Sequence, residues 1–297
     1  MIRTAILVNP TSGKGRSAKN APVAMQRLRE HGMDVAVLEA GSAEGSVELA
    51  KQAIADGVEA LIACGGDGTV HCALQAVAGS DATLGIIPVG TGDDIARALG
   101  IPRDDVRKAV DVIADGRTRE IDYGLVRAAD GTEQAFLAVV SAGFDSEVNH
   151  RANRMKWPTG QSRYLVATFA ELGVYKGVDF TITVDGETTT TPGMMLAIGN
   201  GTSYGGGMLI CPRAEFDDGQ LDLTFLTKTS KATFIKTFPS VFKGTHVNHP
   251  SVNTMRGAQV HVEAEGQRAY ADGEYVGPLP IDVEVVPRGL KVFAPVD

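Results

Sequence analysis

Three glycine-rich segments each follow an apolar run of strand length. They occupy residues 9–15, 65–69 and 90–94 and read NPTSGKG, GGDGT and GTGDD. The second and third segments also open a helical pattern, so backbone N–H groups and a helix N-terminus would meet at the carboxyl edge of a sheet. Phosphate is the natural ligand of such an edge. One loop alone could be a tight strand-to-helix connection, but three together favour a nucleotide.

Carboxylates stand among these glycines, at Asp67, Asp93 and Asp94. A carboxylate beside a phosphate is repelled unless a divalent cation lies between the two groups. The combination therefore predicts the chemistry of a Mg²⁺-bound nucleotide.

Two other phosphate-binding motifs fit less well. Residues 13–18 (GKGRSA) match the G-x-G-x-x-A pattern of NAD-binding Rossmann domains, and Asp34 or Glu39 could bind a ribose about 20 residues later. However, residues 9–12 separate this motif from its strand. A Walker A loop is not supported either, because Gly follows the lysine of residues 13–15 and the upstream Gly is missing.

Two domains are expected from the 297 residues. Nearly continuous apolar runs alternate with helical patterns over residues 1–122, which predicts an α/β class with an open parallel sheet. Asp-Gly turns separate short alternating runs over residues 123–287, which predicts an antiparallel β-sandwich-like domain. We expect helical insertions at about 160–174 and 230–242. Residues 288–297 are expected to return to the first domain.

Composition excludes several classes of protein. The formal charge of −8 argues against a nucleic-acid binder with a broadly basic surface. The three cysteines include no C-x-x-C pair, so no disulfide framework or zinc site is predicted. No apolar run reaches the length of a signal peptide core or a transmembrane helix, so we expect a cytoplasmic protein whose membrane contact is peripheral.

The motifs together carry a family resemblance. The first half resembles the catalytic domain of the diacylglycerol kinase family, the bacterial lipid kinases related to sphingosine and ceramide kinases. Three segments look like the signature motifs of this family and occur in the same order along the chain: residues 9–14, 65–69 and 90–97. Residues 216–222 and 272–275 extend the resemblance into the second half. The combination is specific, although NAD kinases share the GGDGT loop.

The resemblance implies an ATP-binding first domain and a second domain that binds the lipid substrate. Asp67 and Asp94 would join a water and Mg²⁺ network at the γ-phosphate. A second, structural Mg²⁺ would be held by Asp218, with backbone carbonyls from Glu215 and Gln220. The residues that would contact ATP are Asn9, Pro10, Thr11, Ser12, Gly13, Ala40, Gly66, Asp67, Gly68, Thr69, Val70, His71, Cys72, Thr91 and Asp94.

The proton acceptor for the lipid hydroxyl is implied at Asp272 and Glu274. The tripeptide Asp-Gly-Glu occurs twice, at 185–187 and 272–274, and either copy alone indicates only a hairpin turn. The position of the second copy in the family pattern assigns the catalytic role to it. A carboxylate that accepts the alcohol proton suits phosphoryl transfer.

The predicted function is an ATP- and Mg²⁺-dependent lipid kinase, with diacylglycerol as the leading acceptor and phosphatidic acid as the product. The sequence departs from the family pattern at Asp93, where Asn is usual, and at His71 and Cys72, where Asn-Glu is common. Two alternatives stay open: an NAD kinase, and a lipid-binding or regulatory module with weak catalysis. A homodimer is one option for its assembly.

A mixed basic and aromatic segment could touch a membrane. Residues 150–164 contain Arg151, Lys156, Trp157 and Arg163, a composition that suits the headgroup zone of an anionic bilayer. A solvated connection between domains explains the same residues equally well.

Overall fold

The structure is a computed structural model that describes residues 2–9, 16–155, 157 and 161–295. Within the helix 161–174, the side chains of 161–165 and 169 are not described. No helix of the described residues is long and apolar enough to cross a membrane.

The first unit is a parallel sheet with helices on its faces. Its strand order is β4-β3-β1-β2, and all three pairings are parallel. The strands are β1 Thr4–Val8, β2 Val35–Glu39, β3 Ala60–Gly65 and β4 Thr83–Pro88. The helices are α1 Arg16–Glu30, α2 Ala43–Ala55, α3 Asp67–Val77, α4 Asp94–Ala98 and α5 Val106–Ala114.

The three inner strands are buried because helices cover both sheet faces. Every residue of β1 and β3 is buried, as their unbroken apolar sequences predict. The edge strand β2 is half-exposed. Gly32 and Gly57 follow the first two helices with φ of 73° and 92°, a backbone conformation that favours glycine.

The second unit is built mainly from antiparallel strands, as predicted. Its helices are α6 Phe144–Arg154, α7 Gln161–Val174 and α8 Lys231–Thr237, and two 3₁₀ helices span Phe238–Lys243 and Thr245–Asn248. Its strands are β5 Thr118–Ala128, β6 Glu133–Phe136, β7 Val139–Gly143, β8 Val178–Val184, β9 Glu187–Gly199, β10 Leu221–Thr227, β11 Val252–Gly257, β12 Gln259–Glu263, β13 Arg268–Ala271, β14 Glu274–Pro278 and β15 Ile281–Phe293.

One long strand joins the two units. β15 pairs with β5 and β12 in the second unit, and its residue Val292 pairs in parallel with Leu84 of β4. The sandwich has its own core around Phe136, Phe180 and Phe225, all fully buried. The site lies where the carboxyl edge of the parallel sheet faces this second unit.

Candidate active site

Parallel pairing brings the ends of three strands to one edge. In the register of the sheet, Val8 of β1 pairs with Cys64 of β3, and Gly65 of β3 pairs with Pro88 of β4. The residues after these strands, including Asn9 and Gly66, therefore lie side by side. Ala40 follows β2 at the same edge, beside the start of α2. Pro10, Thr11, Ser12 and Gly13 lie outside the described residues.

The two described glycine loops pack directly against each other. A Cβ atom on Gly90 would lie 2.6 Å from the Cα of Gly66. A Cβ atom on Gly65 would lie 2.0 Å from Oγ1 of Thr69. Only glycine fits at these positions, and the close packing leaves the N-terminus of α3 open toward the cavity that Gly66 and Gly68 line.

Two carboxylates flank the space above Gly92. A Cβ atom built on Gly92 would lie 3.0 Å from Oδ2 of Asp67 and 3.3 Å from Oδ2 of Asp94. Burial, followed by the charges of Asp94 and Asp93, raises the pKa of Asp67 to about 6. A carboxyl group in this state gains most from a nearby cation.

These residues fit a Mg²⁺ ion that a nucleotide helps to hold. Among the described residues, no group of three or more His, Cys, Asp or Glu side chains could hold a metal ion by itself. Mg²⁺ commonly takes only one or two protein carboxylates and completes its shell with phosphate oxygens and water. Asp67 and Asp94 would supply those carboxylates.

Asp93 has a different role from its neighbours. Its Oδ1 atom accepts a hydrogen bond of 2.9 Å from the backbone N–H of Gly90, and its φ of 50° lies in the left-handed region. The side chain therefore stabilises its own loop. The departure from the family's Asn keeps an oxygen acceptor at this place.

A loop from the second unit holds Asp94 in place. Ser203 donates from Oγ to Oδ1 of Asp94 at 3.2 Å, and the N–H of Gly206 donates to Oδ2 at 2.6 Å. Arg97 forms an ion pair with the same carboxylate. The position of Asp94 therefore depends on how the two units meet.

Part of the predicted ATP-binding set does not face the cavity. Gly66, Asp67, Gly68, Thr91 and Asp94 line it. Four residues of the predicted set, at the start of α3, are buried within the protein: Thr69, Val70, His71 and Cys72. The helical turn directs these side chains toward the protein interior, and contact of the four residues with ATP stays a prediction.

The hairpin between β13 and β14 carries the second Asp-Gly-Glu. Both carboxylate oxygens of Asp272 accept backbone hydrogen bonds, from Leu137 at 2.9 Å, Ala138 at 2.8 Å and Val139 at 3.1 Å. Its side chain is 1% exposed. A carboxylate held in this way anchors the turn to the backbone of residues 137–139.

Glu274 is the open carboxylate of this hairpin. It is exposed and begins β14, and a Cβ atom on Gly68 would lie 3.6 Å from its Oε1. The hairpin thus places Glu274 over the N-terminal turn of α3. His71, on that helix, lies with Nδ1 3.6 Å from Oδ2 of Asp272.

Replacing Asp272 with alanine should lower the free energy of unfolding by about 3 to 5 kcal/mol, because three backbone N–H groups lose their acceptor and Ala is strained at a φ of 51°. Asp185 is a matched control, since it starts the other Asp-Gly-Glu at a φ of 48° but bonds the exposed N–H groups of Ala258 and Gln259. Asp185→Ala should cost clearly less. Equal losses in urea titrations would contradict the anchoring role of Asp272.

A large cavity opens directly from the phosphate edge. Its volume is about 1030 Å³, and its walls come from both units. Phe144, Phe234, Phe238 and Phe242 form a chain of ring contacts along it, with successive centroids 5.0, 6.0 and 6.0 Å apart. Phe144 is 3% exposed and Phe242 is 50% exposed, so the rings lead from the interior to the surface.

An arginine lies beside the residues implied for a structural Mg²⁺. The carboxylate of Asp218 forms an ion pair with Arg256, and its Oδ1 accepts a hydrogen bond of 3.0 Å from the N–H of Gln220. Arg256 also bonds Asp222 at 3.1 Å. Asp218 therefore has a cationic side chain as its partner, and Glu215 is exposed nearby in sequence. A structural Mg²⁺ held by Asp218, Glu215 and Gln220 stays a prediction.

Comparisons with known proteins show the family of this chain. Residues 3–126 match the family model of the diacylglycerol kinase catalytic domain, and residues 138–294 match that of the YegS C-terminal NAD kinase beta sandwich-like domain. A diacylglycerol kinase of Mycobacterium tuberculosis is 43% identical over 294 residues, which cover 99% of this chain and 95% of that protein. The chain belongs to the diacylglycerol kinase family.

A second relative supports the same assignment, and a solved structure supports the fold. The diacylglycerol kinase of Bacillus subtilis is 31% identical, covering 99% of this chain and 97% of that protein. The crystal structure of a diacylglycerol kinase from Bacillus anthracis shares the fold with a TM-score of 0.73 at 21% identity, covering 99% of this chain and 97% of that one. The chain is therefore a kinase, and the predicted resemblance and fold class are confirmed.

Some buried polar residues that hold neighbouring loops together give little signal in the sequence. Asp122 is fully buried and accepts the N–H groups of Gly219 and Arg288, both at 2.7 Å. Asn200 donates from Nδ2 to the carbonyls of Asp122 and Leu137 at 3.1 Å. Neither belongs to a recognisable motif. The loop that holds Asp94 could have been found, since its three glycines at 205–207 stand together.

Proposed function

We propose that this kinase transfers the γ-phosphate of ATP, with Mg²⁺, to the free hydroxyl of diacylglycerol, giving phosphatidic acid and ADP. One observation carries the proposal: the glycine loops and the carboxylates Asp67 and Asp94 line the same cavity as a chain of phenylalanine rings. A site that joins an anion-binding edge to an apolar cavity suits a phosphate donor and an acyl-chain acceptor.

Glu274 is the proposed proton acceptor. Its carboxylate would take the proton of the lipid hydroxyl while that oxygen bonds to the γ-phosphorus and the bond to ADP breaks. Asp272 is the proposed positioning residue, since it fixes the turn that presents Glu274. When bound, Mg²⁺ would neutralise charge on the phosphates, and Asp67 and Asp94 would hold it there.

Label transfer from γ-labelled ATP tests this function. The protein would be incubated with diacylglycerol vesicles or with NAD, each with Mg²⁺ or with a chelator. We expect label in the lipid fraction that depends on Mg²⁺ and diacylglycerol. Label in NAD would indicate the NAD kinase alternative instead, and ATP binding without transfer would indicate a regulatory module.

We propose that the lipid enters at an anionic membrane surface around α8. This α8 surface consists of α8 and the 3₁₀ helix Phe238–Lys243. Ile235 is 51% exposed and Phe242 is 50% exposed. Residues 230–244 include three lysines and no acidic residue, although the whole chain has a charge of −8. Apolar side chains beside lysines suit an anionic bilayer, which would present the lipid at the cavity mouth.

The segment 150–164 supports this contact only in part. Trp157 is 82% exposed, and the described part of α7 adds the exposed Val174. The charge of Arg151, however, is compensated by an ion pair with Glu171. Lys156 lies outside the described residues, as does the side chain of Arg163.

The double variant Lys236→Gln/Lys243→Gln should bind phosphatidylglycerol vesicles about 10 to 30 times more weakly at low salt, because each lysine near the surface contributes roughly 1 kcal/mol. The matched control Lys51→Gln/Lys108→Gln removes two exposed lysines from α2 and α5. It should bind like the unaltered protein in vesicle sedimentation. Equal weakening by both pairs would count against a local docking surface.

A further inference from the structure

One carboxylate in the cavity has no part in the phosphate edge. Asp145, the second residue of α6, lines the cavity together with Asn149 one turn later. Asp145 is half-buried and lines the cavity. The phosphoryl transfer described above does not use it.

Protein donors occupy only part of the hydrogen-bonding capacity of Asp145. The side chains of Ser141 and Tyr204 hydrogen-bond to its carboxylate, and Nδ2 of Asn149 lies 3.5 Å from Oδ2. An ionised carboxylate has about four acceptor positions. The three described donors therefore leave about one acceptor position on a residue that lines the cavity.

A carboxylate is unfavourable in a cavity that serves acyl chains alone. Burial raises the pKa of Asp145 to about 6. Burial also raises the pKa of Tyr204 well above its ordinary value. An apolar residue would avoid this unfavourable desolvation. The carboxylate is therefore best explained by a polar group of the ligand that reaches it.

The loop at 203–206 links Asp145 to the phosphate edge. Ser203 and Gly206 bond the carboxylate of Asp94, and Tyr204 between them bonds Asp145. Gly205 and Gly206 have φ of 64° and 87°, which lets the chain turn sharply between these contacts. This short connection places Asp145 on the cavity wall next to the end where phosphate is transferred.

We propose that Asp145, with Asn149, forms a polar subsite that accepts a hydrogen bond from a second free hydroxyl of the lipid acceptor. The proposal rests on the lipid kinase function proposed above and extends its acceptors from diacylglycerol to lipids with a second free hydroxyl, such as monoacylglycerols. Ester carbonyls can only accept hydrogen bonds, so the second ester of diacylglycerol would gain nothing from an ionised Asp145.

The test compares 1-monooctanoylglycerol with 1,2-dioctanoylglycerol, whose short chains reduce dependence on vesicles. For the unaltered protein and for Asp145→Asn, kcat/KM is measured with each acceptor, and KM is measured for ATP. We expect Asp145→Asn to lower kcat/KM for the monoacyl lipid at least 10-fold and for the diacyl lipid less than about threefold. The KM for ATP should change less than twofold.

Tyr204→Phe is the matched control, because it removes the phenol bond to Asp145 and leaves the carboxylate in place. This variant should keep the ratio of the two acceptors. Equal losses with both acceptors in Asp145→Asn, or an altered ratio in Tyr204→Phe, would show a structural role and overturn the subsite. Transfer to diacylglycerol with an unchanged ratio would overturn the subsite alone, whereas no transfer to any lipid would overturn the proposed function with it.

Discussion

Replacing Glu274 with glutamine is expected to lower kcat by about 10² to 10⁴-fold and to leave the KM for ATP within about twofold. Glutamine has nearly the same shape but cannot accept the hydroxyl proton. Glu274 is exposed at the start of β14, above Gly68, so its replacement should leave the fold intact. Steady-state label transfer at saturating diacylglycerol measures the effect.

The other Asp-Gly-Glu provides the control for this prediction. Glu187 follows the turn at Asp185 and is exposed at the start of β9, at the far end of a hairpin from the cavity. Glu187→Gln should retain full activity. If Glu274→Gln also kept its turnover, another group would have to accept the proton.

Replacing Asp67 with asparagine should abolish most turnover and stabilise the protein without ligands. Its pKa of about 6 lies above the ordinary value of 3.8, so folding favours the neutral form. Ionisation of Asp67 should therefore lower the free energy of unfolding of the unaltered protein as the pH rises from about 4 to about 6. Asparagine does not titrate, so the variant should be more stable by about 3 kcal/mol above pH 7.

Urea unfolding at pH 4.5 and 7.5 measures this difference. The advantage of Asp67→Asn should be small at the lower pH and nearly complete at the higher pH. Turnover should fall about 10²-fold or more, since one of two cation-binding carboxylates is lost. Asp34→Asn, at an exposed position, should show neither effect. A variant less stable than the parent at pH 7.5 would contradict the claim that the ionised form of Asp67 destabilises the folded protein.

Much of the nucleotide edge could be predicted from sequence because it is local. An apolar strand followed by glycines fixes where a loop lies, and parallel pairing then brings Gly66 and Gly90 together. The hairpins could be predicted for the same reason. Asp185 and Asp272 both have a left-handed backbone conformation followed by glycine, as a tight turn requires.

The roles of individual side chains depended on contacts between distant parts of the chain. The motif treats Asp272 and Glu274 alike, but the backbone of residues 137–139 holds the first and leaves the second open. Likewise, Arg256 of β11 pairs with Asp218 in the turn before β10. Such pairings are set by tertiary packing and leave no spacing in the sequence.

The cavity was beyond sequence reasoning for a related reason. Its aromatic wall combines Phe144 of α6 with Phe234 of α8 and rings of the following 3₁₀ helix. These residues are scattered over roughly a hundred positions, and each alone would pass for an ordinary core residue. Only the fold shows that they share one wall.

Anomalous diffraction from Mn²⁺ in crystals grown with a non-hydrolysable ATP analogue tests the central claim most directly. We predict a Mn²⁺ peak within coordination distance of Asp67 and Asp94, with the γ-phosphate group facing Glu274 and the apolar cavity. A nucleotide bound away from the glycine loops, or a peak at Asp218 without one between Asp67 and Asp94, would contradict the account.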